Sequence, residues 1–409
     1  MSEKPVSTEE KRSPGKLILP SLIFLSFASG LPALLVGLLL VDIGHTFGYP
    51  VGVTGQIRTV AMILGTIFAL LMGILSVRFN HKSLLLTGLL FMSVSALGCG
   101  LAPIFAIMFV SYSMQGVGAS MTGPMSYALV GEHFSRERRG GAIGWIVAAA
   151  ALAYVIGSPV AGAVSGLWGW RMAFLGFVLP VLLLSLLLAA KGLPSVSSGH
   201  QPKASMRDYS EGFKGVFSNR SAVGCLVGSA LSGAAWMAIL IYAPSFHRQQ
   251  FLLPTGVVSV IVVVAALCYV AGSLVSGQFV KRLGRKPLTV LAALVAGAFT
   301  ILYTNLPDLW LSLATVFLSC LFAGMRMTAS TNLTLEQVPR FRGTMMSINH
   351  ATVALADALG SGIGGLAILM LGYGPMAAIL GAMGIAAAVI FQFLAIDPTR
   401  TEKREHSSP

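Results

Sequence analysis

The sequence predicts an all-α membrane protein: twelve transmembrane helices in two pseudo-symmetric six-helix bundles, with both termini cytoplasmic. Three observations carry this. The 409 residues are 55% apolar and only 10% charged, where a soluble domain carries about a quarter charged residues. The apolar residues gather into twelve runs long enough to cross a bilayer, which takes about 20 residues of helix. The chain also repeats itself about 204 residues apart.

The repeat is visible residue by residue. Gly73-Ile74-Leu75-Ser76-Val77-Arg78-Phe79-Asn80-His81-Lys82 returns as Gly277-Gln278-Phe279-Val280-Lys281-Arg282-Leu283-Gly284-Arg285-Lys286. Glu132 leading to Arg139-Gly140 returns as Glu336 leading to Arg342-Gly343, and Gly157-Ser158 with Gly162 returns as Gly360-Ser361 with Gly365. Membrane proteins built from two similar halves commonly rock one half against the other around a site between them.

The predicted spans are 17–42, 54–76, 83–102, 104–131, 140–165, 170–190, 222–246, 255–280, 287–304, 309–335, 343–371 and 373–396. Barrel strands would instead show short alternating segments. The polar N-terminus, with a first run too long for a signal h-region, is expected to be retained. Of the 27 Lys and Arg, only Arg58, Arg171, Arg248 and Arg326 lie off the tails and the even-to-odd loops. The positive-inside rule then orients the bundle, and the net charge of +13 reflects a basic inner face beside anionic lipid rather than a nucleic-acid partner. The expected organisation is a cytoplasmic tail (1–16), a six-helix bundle (17–190), a cytoplasmic linker (191–220), a second bundle (221–396) and a cytoplasmic tail (397–409). Within the linker, Met206, Tyr209, Phe213, Val216 and Phe217 fall at helical spacing between charges, which reads as an amphipathic surface helix.

These features together resemble the major facilitator superfamily, over nearly the whole chain. The resemblance rests on the repeated inner loop, on Gln115-Gly116-Val117-Gly118, on Glu132 to Arg139-Gly140, and on Gly169-Trp170-Arg171-Met172-Ala173-Phe174. Gly157-Ser158-Pro159-Val160-Ala161-Gly162 is similar to a Gly-Pro motif of the family's exporters, so the twelve-span drug:proton antiporter branch is the most similar. The resemblance implies alternating access. Gly73 and Gly277 allow close helix approach. Arg78, Lys82, Arg282, Arg285 and Lys286 can latch the halves by binding helix C-terminal carbonyls and acids, although loop charge also sets topology by itself. Pro159 bends span 5 or packs it tightly. Two departures stand out. The loop motif's usual Asp is Val77 in one copy and Lys281 in the other, implying a different or weaker latch. The Arg that proton-coupled exporters carry before the Gln-Gly pair is Tyr112 here.

Ionisable residues inside a membrane are costly and point to function. Arg326 lies roughly 15 Å from the inner end of span 10 and Asp357 roughly 21 Å into span 11, which makes an Arg326–Asp357 pair the leading candidate for proton and substrate binding; such a pair can also simply hold helices in register. Asp42 and Arg58, at the outer ends of spans 1 and 2, are a candidate outer gate or wetted interfacial charges. His350, seven residues before Asp357, shares its helix face and is a candidate relay or a packed residue. Tyr112, Gln115, Tyr154, Trp236 and Tyr242 are candidate cavity walls suited to amphipathic organic solutes. Cys99, Cys225, Cys268 and Cys320 have no metal spacing, so buried thiols are expected. The chain has no GxxxxGK[ST] loop for ATP, and no cofactor, metal or enzymatic constellation is expected. The functional expectation is a secondary active transporter in the cell membrane, a monomer moving a small organic solute by proton-coupled efflux; uptake or exchange of a small organic anion is the alternative. A receptor or scaffold would want a longer soluble part.

Overall fold

In the computed structural model, residues 17–194 and 206–397 are described. Expectations for the two tails and for the Pro/Ser-rich part of the linker fall outside the described residues, as do the side chains of Arg78 and His350 and the surroundings of Gly73. The first half comprises α1 (Ile18–Phe47), α2 (Val51–Thr54), α3 (Gln56–Arg78), α4 (His81–Leu101), α5 (Phe105–His133), α6 (Arg136–Trp168), α7 (Trp170–Met172) and α8 (Leu179–Gly192). Then come α9 (Met206–Ser218) and a second half of α10 (Arg220–Gln250), α11 (Thr255–Leu283), α12 (Arg285–Tyr303), α13 (Leu309–Leu335), α14 (Arg342–Leu371) and α15 (Tyr373–Leu394). The described residues contain no strand.

Every predicted span is a helix. Eleven are both long and apolar enough to cross a membrane. The other, α5, has 29 residues and buries Ser113, Gln115, Ser120, Thr122 and Ser126; these polar groups lower its hydropathy, and the hydroxyls bond mostly to the helix's own carbonyls. Local signals set the ends. Asn219 caps α10 by accepting from the amides of Ser221 and Ala222, and Asp308 caps α13 by accepting from Leu311, as N-cap residues do. The sequence predicts one continuous helix over 170–190. A π-helical stretch, Ala173–Val178, instead separates α7 from α8, just before Pro180, which has no N–H to continue the α-helical ladder.

Helix α9 lays Gly212 against Thr344 and Gly215 against Phe341 and buries Val216, leaving Phe213 and Phe217 exposed. That apolar pair suits a membrane surface.

Within the halves, α5 packs on both α3 and α4, and α13 on both α11 and α12. Gly116 of α5 sits against the Ala61 carbonyl of α3, and Gly324 of α13 against the Tyr269 carbonyl of α11. The two contacts join corresponding helix pairs of the two halves, about one turn apart in register, and neither leaves room for a Cβ. Between the halves, α3 meets α14, α6 meets α11 and α1 meets α10. A two-fold exchanging the repeats swaps the first two pairs and maps the third onto itself.

The repeated Gly-Ser motifs build these contacts. Ser158 Oγ donates to the Ser259 carbonyl at 2.9 Å. The hydroxyls of Thr59 and Ser361 lie 3.1 Å apart, and Gln56 Nε2 donates to the Gly362 carbonyl at 3.3 Å. Among the described residues, the hydrogen bonds between the halves lie at mid-depth or in the part of the bundle away from the basic loops, and they hold that end closed.

Candidate functional site

Three charged side chains meet in the middle of the bundle. Asp357, on α14, faces Gly233 of α10: its Oδ1 is 3.8 Å from where a Cβ on that glycine would stand. Its carboxylate makes no hydrogen bond or ion pair with the described residues. Arg326, on α13, is 3% exposed, and its Nη1 donates to Ser232 Oγ at 2.7 Å. Arg58, on α3, is 5% exposed. Its Nη1 donates to the Ala33 carbonyl at 3.4 Å and its Nη2 to Met237 Sδ at 3.5 Å, while Nε has no partner. Both guanidiniums are close enough to act on Asp357 by Coulomb attraction, which is strong in a low-dielectric interior.

Two expected pairings are corrected here. Arg326 and Asp357 form no direct ion pair, because a serine on α10 holds the guanidinium. Asp42 does not pair with Arg58. Its partner is Arg248 at the end of α10, whose Nη2 donates to Oδ1 at 2.8 Å and whose Nη1 bonds Oδ2. Arg58 reaches inward instead. Its contacts, Ala33 and Met237, lie roughly 20 Å along α1 and α10 from the ends of those helices. Sequence gives the depth of a Cα but not the direction of a long side chain.

A partly open cavity lies between the halves. Arg58 and Tyr154 border it from the first half, His247 from the second, and its walls are otherwise apolar: Leu34, Leu38, Ile239, Val262 and Ala265 among them. A smaller cavity lies inside the second half, bordered by Arg326, Ser232, Trp236, Thr300 and Ser319. Trp236 stacks on Tyr269, with ring centroids 4.9 Å apart.

Other expected wall residues are packed away. Tyr112 is fully buried, its hydroxyl donating to the Pro32 carbonyl at 3.3 Å, so it joins α5 to α1 and borders neither cavity. Tyr242 donates to the Ser361 carbonyl at 2.8 Å. Gln115 is buried with Oε1 unpartnered, also off both cavities. Pro159 lies within an unbroken α6.

At the basic end, Lys82 donates to the carbonyls of Ala190 and Leu193 at 2.8 and 2.6 Å, and Arg285 approaches Glu336 at 3.9 Å; both contacts stay within one half. Arg282 is exposed and Lys286 partly so. Gly277 has no atom within 4 Å of a would-be Cβ, so it makes no close helix approach here.

Sequence reasoning passed over Ser232, His247 and Arg248. The signal for Arg248 was present: it is one of only four basic residues off the inner loops.

The family model of the Major Facilitator Superfamily matches residues 22–264 and 249–409. The chain belongs to the major facilitator superfamily. Its relatives in this superfamily are transporters. It is 25% identical over 268 residues to a probable 4-methylmuconolactone transporter of Cupriavidus pinatubonensis, a match covering 64% of this chain and 62% of that protein. It is 24% identical over 299 residues to multidrug resistance protein 2 of Bacillus subtilis, covering 71% and 73%. The solved D-xylose-proton symporter superposes with a TM-score of 0.76 over 93% of this chain and 98% of its own, at 16% identity, a likeness of fold. The chain is thus a multi-pass membrane transporter of this superfamily.

Proposed function

We propose that the protein is a secondary active transporter of the cell membrane that exports a small organic solute in exchange for protons, working as a monomer by alternating access. The observation that carries this is Asp357: a carboxylate in mid-bundle that makes no hydrogen bond with the described residues and feels the charge of two guanidiniums. Such a group can take up and release a proton without dismantling structure, and intramembrane acids commonly serve proton relays. By the positive-inside rule the basic end is cytoplasmic, so the described contacts between the halves close the outer end, which supports an inward-facing reading. Breaking the contacts of the Gly-Ser motifs and of Asp42–Arg248 opens the other end, and the basic loops that carry Arg78, Lys82, Arg282, Arg285 and Lys286 then latch the basic end. The likeness to a multidrug resistance protein supports efflux.

The second reading, uptake or exchange of a small organic anion, is supported by the two guanidiniums set against one carboxylate. Purified protein in liposomes, given an imposed pH gradient, separates the two. Accumulation in acid-inside vesicles means antiport, and accumulation in alkaline-inside vesicles means symport. No gradient-driven flux with any solute would overturn the proposal.

A further inference from the structure

The larger cavity has an unbalanced charge and nearly featureless walls. Arg58 borders it with a Nε that has no partner among the described residues, two long contacts to a carbonyl and a thioether, and the Tyr112 hydroxyl nearby. A thioether is a weak acceptor. No carboxylate lies within ion-pair distance of this guanidinium among the described residues, and the nearby Asp357 is shared with Arg326. A buried cation left so poorly matched is costly. Arginine is suited to gripping planar carboxylates with two parallel hydrogen bonds. The remaining walls, including Leu34, Leu38, Val262 and Ala265, would leave the hydroxyls of a sugar-like ligand unpaired, which is unfavourable. His247, whose Nε2 is buried without a partner, offers one further polar contact beside this apolar surface.

We propose that the cavity binds a small monocarboxylate with a compact apolar body, its carboxylate held by Arg58. This names a substrate class for the transport reading and rests on it. Arg326, tied to Ser232 and facing the smaller cavity, is not the carboxylate's receptor.

The test uses the full chain purified in detergent, with thermal unfolding followed as cyclohexanecarboxylate, benzoate and the uncharged cyclohexanecarboxamide are added. A ligand that binds the folded state raises the unfolding temperature by mass action. The two carboxylates should raise it and the amide should not. Arg58→Gln should weaken carboxylate binding by roughly a hundredfold, the scale expected for removing one partner of a buried charge pair. Arg171→Gln, which removes an equal charge outside the cavity, should keep the shift. Equal shifts from acid and amide, or a full carboxylate shift in Arg58→Gln, would overturn the proposal. The acid–amide comparison on the unaltered protein decides the matter even if Arg58→Gln does not fold. Because no gradient is involved, the two readings fail separately: a protein that binds carboxylates but moves nothing across a vesicle would sink transport and leave this site standing.

Discussion

Asp42 and Arg248 join the two halves of the molecule by a two-pronged ion pair at the end opposite the basic loops. The pair is partly shielded, with side chains 26% and 14% exposed, and must part whenever that end opens. Asp42→Asn is expected to favour opening by about 1 kcal/mol, or roughly fivefold in the ratio of states. Cysteine labelling from the far side at a cavity position such as Leu38 would report it. Exchanging the charges, Asp42→Arg with Arg248→Asp, should restore the original ratio; unchanged labelling in Asp42→Asn would remove the pair from the gate.

The close-packed glycines of the two halves give a stability prediction. Gly116→Ala and Gly324→Ala push a Cβ into a facing backbone carbonyl and should each cost about 1–3 kcal/mol. Gly144→Ala, with nothing within 4 Å of the new atom, should be neutral or stabilising, as Ala favours helix over Gly. Thermal unfolding in detergent ranks the three. Equal unfolding temperatures would mean that these close contacts do not hold the helices of each half together.

Tyr112→Phe examines whether that residue packs or binds. Losing one long hydrogen bond to the Pro32 carbonyl should cost about 1 kcal/mol of stability and leave solute affinity as it was. A drop in affinity with unchanged stability would return Tyr112 to the cavity wall.

The architecture was legible because its causes are local. Each apolar run must satisfy its backbone internally and so becomes a helix, and the repeated Gly-Ser motifs already marked where the halves would meet. The site was less legible because it depends on side-chain reach across helices. Arg58 and Asp42 sit on neighbouring spans at similar depth, and only packing shows one turning inward and the other turning to Arg248. Likewise Arg326 and Asp357 lie at matching depths, yet Ser232 intervenes, a small hydroxyl that no charge count would single out. Tyr112 sits where the family resemblance drew attention, but it packs against α1, away from the cavity.

The central claim is that Asp357 couples proton movement to solute movement. The most direct measurement compares wild type with Asp357→Asn in liposomes, using solute counterflow and pH-gradient-driven accumulation on the same preparation. Asp357→Asn should keep counterflow, which needs no net proton movement, and lose accumulation driven by the gradient. Accumulation at the wild-type level in Asp357→Asn would contradict it.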